Sequence, residues 1–487
     1  MKKSNLSKII LLILLAIAGF YFGVVSGSQK EFVIVATNDV HASIDNMPQL
    51  MTLVEQLRAE NDNVIVMDAG DRNTGNPYVD RVEPQGKPLI ELMNMVGYDY
   101  LAIGNHEFDY QQPGLEIWLK GSEAQALCAN ADFSANPALD SLISPYEIIE
   151  MNGVRIAILS LVQLNSMGIP SAMPAYMEGI SFTDGIETSH EYKFLRDSAD
   201  LVIGLTHLGY TTDSLMVLEN TMFDLVVGGH SHTYIPNGVE INGTLVTQSG
   251  ERLDNVSISR IKMRAGKVVS VTNEVVSLTG IEGDEKAAAF VDSIQSNSPL
   301  NKSIGKLDGK LDEIGLINLF GDAMRAATGA DFAVHNSGGV RIDSLSAGDV
   351  SAVEVYKMEP FNNYIVTQKM SLAMMEQMIL NTFNNEGSDE AQRVDLYPSG
   401  MKYDVMVDAN NKATSVKFYD MNGRALANKT YTMAISNYVS SAYNYDYVEN
   451  TQSTDGTLLA PAICDAITRA GVYKADNELR AKTVKVN

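Results

Sequence analysis

The chain has 487 residues, 45% hydrophobic and 20% charged, and 36 Lys and Arg stand against 60 Asp and Glu for a formal net charge of −24. A chain of that size and composition builds about two to four globular domains, which excludes a disordered tail, a coiled coil and a collagen-like fibre. The acidity excludes a generic binder of nucleic-acid polymer, because such a surface repels a polyanion; phosphate has to be caught locally.

At the N-terminus, Lys2, Lys3 and Lys8 precede the apolar run 9–25, and Ser26, Gly27 and Ser28 follow it. That run falls between a secretory apolar region of about 7–15 residues and a spanning helix of about 20. Residues 1–27 therefore read as a signal peptide or an N-terminal membrane anchor, with membrane attachment through residues 9–25 in the second case. No Cys follows the run, so a lipoprotein anchor is excluded. Either way the body is expected in the periplasm or cell envelope.

Short β-branched runs then end repeatedly at polar clusters: Phe32 to Ala36 into Thr37-Asn38-Asp39, Val64 to Met67 into Asp68-Ala69-Gly70-Asp71, and Tyr100 to Ile103 into Gly104-Asn105-His106. Leu201 to Leu205 into Thr206-His207 and Leu225 to Val227 into Gly228-Gly229-His230 repeat the plan. These read as buried strands. Leu50, Leu53, Val54 and Leu57 recur at helical spacing between the first two, which predicts a β-α-β rhythm and an α/β core. The polar residues fall just past the carboxyl ends of the strands, the edge where open α/β sheets bind ligands.

From Thr279 the chain turns polar, with an Ala287-Ala288-Ala289 run. We read residues 28–280 as one domain, 281–305 as a linker helix and 306–487 as a smaller α+β domain. That second domain opens on an amphipathic helix carrying Leu316, Leu319, Phe320, Ala323, Met324 and Ala327. Cys128 and Cys464 show neither a disulfide framework nor metal-knuckle spacing and read as small buried hydrophobes.

Seven histidines occur, and His41, His106, His207, His230 and His232 all fall at the strand ends; His190 and His335 do not. Two divalent cations about 3.5–4 Å apart clamp a phosphoryl group and lower the pKa of a bridging water, so that hydroxide attacks in line at neutral pH. Imidazole and carboxylate ligands suit zinc, manganese, cobalt or iron. Asp39 and His41, as alternate residues of an extended segment, are expected to project to one side and reach one ion, and His230 and His232 to repeat that geometry. Gly104, Gly228 and Gly229 leave room for tight turns. Asp68 and Glu107 read as solvated residues or as hydrogen-bonding support rather than ligands.

These blocks resemble the calcineurin-like metallophosphoesterase superfamily across nearly the whole first domain. Gly70-Asp71-Arg72-Asn73-Thr74-Gly75 and Gly104-Asn105-His106-Glu107-Phe108-Asp109 are similar more specifically to the 5′-nucleotidase family, which includes bacterial periplasmic UDP-sugar hydrolases. The resemblance implies a four-layer αββα first domain. It implies that Asp39, His41 and His232 bind one metal and Asn105, His207 and His230 a second, with Asp71 bridging. His106 would stabilise the transition state or act as general acid, oriented by Asp109.

The second domain resembles the same family over about 180 residues. Asn336-Ser337-Gly338-Gly339-Val340-Arg341 is similar to its N-x-G-G-[IV]-R loop, in which the glycines admit substrate to the backbone and the arginine grips phosphate. Pro360-Phe361-Asn362-Asn363 is similar to its P-F-G-[GN] segment, and Asn437-Tyr438 falls where the family places a second aromatic. Phe361 and Tyr438 would then stack on the base. The chain departs from the pattern at Ala442-Tyr443-Asn444-Tyr445, where the family has G-G-D-G, and at Asp312, where it has a basic residue. The resemblance implies an exported, monomeric phosphohydrolase of nucleoside 5′-monophosphates, with UDP-sugars as further substrates. The alternatives are a 2′,3′-cyclic-nucleotide 2′-phosphodiesterase/3′-nucleotidase and a non-catalytic nucleotide-binding envelope protein.

Overall fold

The computed structural model describes residues 29–165, 167–361, 363–385, 392–442, 454 and 456–486. The leader reading of residues 1–27, Asn362, and Tyr443 to Tyr445 lie outside the described residues. Among the described residues no helix is long and apolar enough to cross a membrane.

Two compact units emerge. The first comprises residues 1–73, 82–172 and 176–292, and the second comprises 74–81, 173–175 and 293–487. The helix Glu285–Ser296, formed around the triple alanine, crosses from one unit to the other.

In the first unit the strand Lys30–Thr37 buries both faces, as its unbroken apolar run demands. It pairs in parallel with Val64–Asp68, which continues through Tyr100–Ala102 and Gln125–Leu127 to Ile143–Ser144. On its other side it runs antiparallel to Asn255–Arg264, which pairs with Lys267–Ser277 to complete seven strands. A second sheet of six orders Val239–Ile241, Thr244–Thr247, Leu225–Val227, Leu201–His207, Val154–Val162 and Tyr146–Met151.

Phe32, Ile34, Ile65 and Met67 of the first sheet share one apolar cluster with Ile156, Ile158, Ile203 and Leu205 of the second, so the sheets face each other. The alternate residues Val33, Val35 and Val66 are equally buried on the opposite face. Helix Met47–Glu60 buries Leu50, Val54 and Leu57 against that sheet. Behind the second sheet, Leu159, Val202 and Val226 cluster with Leu195, Met216 and Val217 of its helices. The result is the expected α/β arrangement of two facing sheets with outer helices; each predicted strand run falls on a strand, although the run from Tyr100 outlasts its strand by one residue, Ile103.

The loop after Tyr100–Ala102 turns back so that Glu107, wholly buried, faces the loop after Val64–Asp68. Its carboxylate accepts backbone N–H groups from Gly104 at 2.6 Å, Asp71 at 2.9 Å and Arg72 at 3.1 Å. The buried Arg72 donates to Asp68 at 3.2 Å and to the Ala102 carbonyl at 2.7 Å, and its guanidinium lies 4.7 Å from the Trp118 ring centroid. Both Asp68 and Glu107 therefore support the loops by hydrogen bonding.

The second unit is α+β. A four-stranded sheet orders Ile365–Ser371, Thr430–Ser436, Phe332–Asn336 and Leu396–Ser399, beside two three-stranded sheets. The predicted amphipathic helix is Glu313–Thr328, and Asp312 is its N-cap, accepting from the Gly315 N–H at 3.0 Å. Both cysteines are free; Cys128 is buried and Cys464 half-buried.

The Glu107→Gln variant turns an amide NH₂ toward backbone N–H donors, so urea unfolding should show a loss of about 1–3 kcal/mol. An unchanged midpoint would show that the cradle does not depend on the carboxylate. A second expectation concerns pH. Asp213, on helix Tyr210–Glu219, accepts from Thr206 Oγ1 at 2.7 Å, while its other oxygen, buried, has no hydrogen-bond partner. Burial outweighs the Thr206 bond and pushes this carboxyl up to about 7. A raised folded-state pKa makes the stabilising contribution complete below about pH 4 and lost as pH rises through about 7. With chelator present, Asp213→Asn should therefore exceed the parent in urea midpoint at pH 8.5, with the gap closing at pH 5. Equal gaps at the two pH values would contradict this.

Candidate active site

Asp39, Asp71 and Asn105 follow the carboxyl ends of three neighbouring strands of the first sheet, while His207 ends one strand of the second sheet and His230 follows its neighbour. The loops at this joint edge are not extended. Asp39 (φ 51°), His41 (48°), Asp71 (54°), His230 (76°) and His232 (53°) all adopt left-handed backbone. The expectation that Asp39 and His41 alternate along an extended segment is corrected accordingly: a left-handed turn brings both side chains inward. Backbone bonds hold that turn, from Asp39 N to Gly70 O at 3.0 Å, His41 N to Asp71 O at 2.9 Å and Ala42 N to Arg72 O at 2.6 Å. His230 N–H in turn donates to the Asp39 carboxylate at 3.0 Å.

Three overlapping sets of ligand atoms result, each with its members within 4.8 Å of one another. Asp39, His41 and His232 form the first, with His232 Nε2 3.5 Å from Asp39 Oδ1 and 3.2 Å from His41 Nε2. Asp71, His207 and His230 form the second. In it His207 Nε2 lies 3.1 Å from Asp71 Oδ2, and Asn105 Oδ1 lies 3.3 Å from His207 Nε2 and 3.0 Å from His230 Nδ1. His41, Asp71 and His106 form the third. His230 and His232 thus serve different sets rather than one ion, which corrects the repeated-geometry expectation.

The donor chemistry tests whether a metal fits. His207 Nδ1 lies 2.8 Å from the Ala69 carbonyl, which only accepts. A neutral ring therefore keeps its proton on Nδ1 and turns an Nε2 lone pair toward the oxygens of Asp71 and Asn105. Only a proton or a cation reconciles those acceptors. Burial pushes His207 down, but the Asp71 carboxylate beside it prevails and carries it up to about 10. Burial, then His207, push His230 down to about 3. Burial raises Asp39 to about 6 against the pull of His207, whereas His207 and His106 overcome burial and hold Asp71 well below the carboxylate range. Divalent cations fit this imidazole, carboxylate and amide set.

His106 is held by Asp109, with Nδ1 2.6 Å from Oδ2, and its Nε2 lies 3.9 Å from Asp71 Oδ2. Its backbone N–H also donates to Asp71 Oδ1 at 2.8 Å. At Gly104 a β-carbon would collide with the Asp71 carboxylate, so the expected need for room there is met.

In the second unit, Asn336 ends the strand Phe332–Asn336 and Ser337–Gly339 make one helical turn, tied down where Ser337 N–H and Oγ donate to Asp395 Oδ1. The two glycines of this loop differ. Gly338 is exposed and a β-carbon there would make only an ordinary contact with Asn336 at 3.8 Å, whereas Gly339 is buried and a β-carbon there would lie 2.5 Å from His335 Nε2. Packing over His335 is by itself enough to require glycine at 339. The Arg341 guanidinium lies 5.6 Å from the Phe361 ring centroid. Asn437 N–H donates to Tyr364 O and Tyr364 N–H to Asn437 Oδ1, both at 2.9 Å, so the Phe361 and Tyr438 segments flank the same end of one strand pair.

Two site residues carried no sequence signal of their own. Gln248 brackets the His230-Ser231-His232 turn, donating to Gly229 O at 2.9 Å and accepting from Thr233 N at 3.0 Å. Glu251 contacts His232 at 3.2 Å. Both come from a segment that lacks the spacing of a motif.

Residues 32–234 match the Calcineurin-like phosphoesterase family and residues 297–450 the 5′-nucleotidase, C-terminal domain family. In an alignment of 478 positions that covers 84% of this chain, it is 27% identical to the trifunctional nucleotide phosphoesterase protein YfkN of Bacillus subtilis, of which it spans 32%. It is 29% identical over 409 residues to the 5′-nucleotidase of Vibrio cholerae, covering 69% of this chain and 72% of that one. The crystal structure of a 5′-nucleotidase precursor from Thermus thermophilus shares the fold, with TM-score 0.81 at 23% identity over 93% of this chain and 99% of that one. The chain belongs to the 5′-nucleotidase family of metal-dependent phosphoesterases, with a calcineurin-like phosphoesterase domain followed by a 5′-nucleotidase C-terminal domain.

Proposed function

We propose that this chain hydrolyses nucleoside 5′-monophosphates to nucleoside and phosphate. The observation that carries the reading is the Asp71 carboxylate, which groups with His207 and His230 on one side and with His41 and His106 on the other. Asp39, His41 and His232 would hold one divalent cation and Asn105, His207 and His230 another, with Asp71 common to both. When bound, such a pair supplies Lewis-acid stabilisation of phosphoryl oxygens and a water of lowered pKa. Zinc, manganese, cobalt and iron all suit the donors.

The remaining chemistry belongs to the protein. Asp109 fixes the His106 ring through Nδ1, leaving Nε2 as the atom that meets substrate. Protonated there, His106 donates to the charge that develops on the phosphoryl group and passes its proton to the departing nucleoside oxygen. In the second unit Arg341 supplies planar donors for phosphate, and Asn336 and Gly338 line the loop beside it. Phe361 and Tyr438 stack on the base, each stacked face contributing about 1–3 kcal/mol. We take residues 28–280 as the phosphoesterase domain, 281–305 as the linker and 306–487 as the substrate-binding domain. Export rests on the leader, residues 1–27. The name of the relative YfkN, a trifunctional nucleotide phosphoesterase, widens the substrates worth testing.

Products should be measured with added manganese, zinc or cobalt: phosphate from AMP and 3′-AMP, the ring-opened monophosphate and then phosphate from 2′,3′-cyclic AMP, and UMP with glucose 1-phosphate from UDP-glucose. AMP is expected to be the best of the four, and chelator should abolish its turnover. A preference for the cyclic or 3′ substrates would move the assignment to the 2′,3′-cyclic phosphodiesterase reading, and silence on all four would remove the nucleotidase reading. Asp71→Asn and His106→Ala should each lower kcat by about 10²–10⁴, the usual range for a positioned acid or charge stabiliser, with circular dichroism unchanged. Phe361→Ala, by contrast, should act mainly on KM for AMP, raising it about 10-fold for the loss of one stacking face. An effect confined to kcat would mean that Phe361 does not contact the base.

A further inference from the structure

We propose that Glu251 is a positioning residue for the metal site: its carboxylate takes the Nδ1–H of His232 and so fixes Nε2 as the donor atom facing Asp39 and His41. This rests on the reading of Asp39, His41 and His232 as metal ligands. Glu251 Oε2 lies 3.2 Å from His232 Nδ1, and at the far end of the ring Nε2 lies 3.5 Å from Asp39 Oδ1 and 3.2 Å from His41 Nε2. An imidazole that donates from one nitrogen to a carboxylate is locked in the tautomer whose other nitrogen carries the lone pair, and it becomes a more basic ligand.

His232 needs such help more than its neighbours do. Its side chain is 28% exposed, whereas His207 is wholly buried and donates to the Ala69 carbonyl. Packing alone constrains this ring less than it does His207, so a hydrogen bond has more of its direction to set. The loop that carries Glu251 is shaped for this. Gly250, Arg252 and Leu253 have φ of 91°, 57° and 58°, left-handed backbone that the two non-glycine residues adopt only against a steric penalty. That turn is bolted to the Asp39 loop, since Arg252 N–H donates to Asp39 O at 2.7 Å and Asn38 Nδ2 to Gly250 O at 2.6 Å. Asp39 and the acid behind His232 therefore share one rigid backbone assembly. Arg252 Nε, 3.4 Å from the same Oε2, holds the carboxylate from its other side.

The test is cobalt binding by the full chain, followed by ligand-field absorption and by competition with a chromophoric chelator, which requires no turnover. Two binding steps are expected. Glu251→Ala should weaken one of them by about 10–100-fold and leave the other unchanged, while Glu251→Gln, which keeps a neutral acceptor, should recover part of the loss. Urea unfolding of the metal-free variants should match the parent. His232→Ala is the control and should lose the same step. If His232→Ala loses that step and Glu251→Ala does not, the positioning role is wrong and the ligand assignment stands. If His232→Ala binds both ions as the parent does, the ligand assignment itself fails. Equal weakening by Ala and Gln would replace orientation with simple charge attraction and overturn the proposal.

Discussion

Everything at the strand ends depends on one buried carboxylate. Glu107 accepts three backbone N–H groups, from Gly104, Asp71 and Arg72, and so holds two neighbouring loops of the first sheet against each other. A buried anion is tolerable only when it is fully hydrogen-bonded, and here those bonds are also the positional information. They set the left-handed backbone of Asp71 from behind. The Asp39 loop then zips onto residues 70–72, and the Asp39 carboxylate captures the His230 N–H from the second sheet. Placement therefore runs outward from Glu107, through Asp71 and Asp39, to ligands on the facing sheet.

That assembly crowds groups whose protonation preferences conflict. Of two adjacent imidazoles, His207 is pushed up and His230 down; of two carboxylates, Asp39 is pushed up and Asp71 down. Such a divergent set titrates as a unit, and with His207 Nδ1 committed to the Ala69 carbonyl, either a second proton on Nε2 or a cation has to stand between that ring and the oxygens of Asp71 and Asn105. Cations satisfy all the inward-facing lone pairs together. The acidity of the whole chain works in the same direction, since a net negative surface enriches cations around it. Phosphate would then need local positive groups, and in the proposed reading Arg341 beside Phe361 is one of them.

How much was legible in the sequence follows from the physics of each signal. Strand runs such as Phe32 to Ala36 and Leu201 to Leu205, and the helix through Leu316 and Phe320, could be read because burial imposes its periodicity on residue type. The candidate ligands stood out because histidine is scarce in this chain and gathers after those strands. Left-handed backbone at Asp39, His41 and His232 could not be read, since these residues carry no glycine to announce it. Gly339 shows the converse: its sequence context suggests substrate approach, while its surroundings show a packing limit set by His335. Asp312, read as a missing basic residue, is a helix N-cap. Glu251 was invisible because its partner, His232, lies 19 positions earlier and only the turn at Arg252 and Leu253 brings the two together.

The left-handed ligands also explain why metal binding and folding belong to one equilibrium. Left-handed backbone is unfavourable for residues other than glycine, though Asp and His tolerate it better than most, and Asp39, His41, Asp71, His230 and His232 all adopt it. The backbone bonds between residues 39–42 and 70–72 offset part of this cost, and the rest is stored in the loops. Strain persists only where its surroundings over-determine it, and here the surroundings are two facing sheets whose central strands are buried. Any ion that draws the ligand atoms together favours the strained backbone over its relaxed alternatives. It therefore stabilises the fold by mass action through the same contacts that make the site reactive.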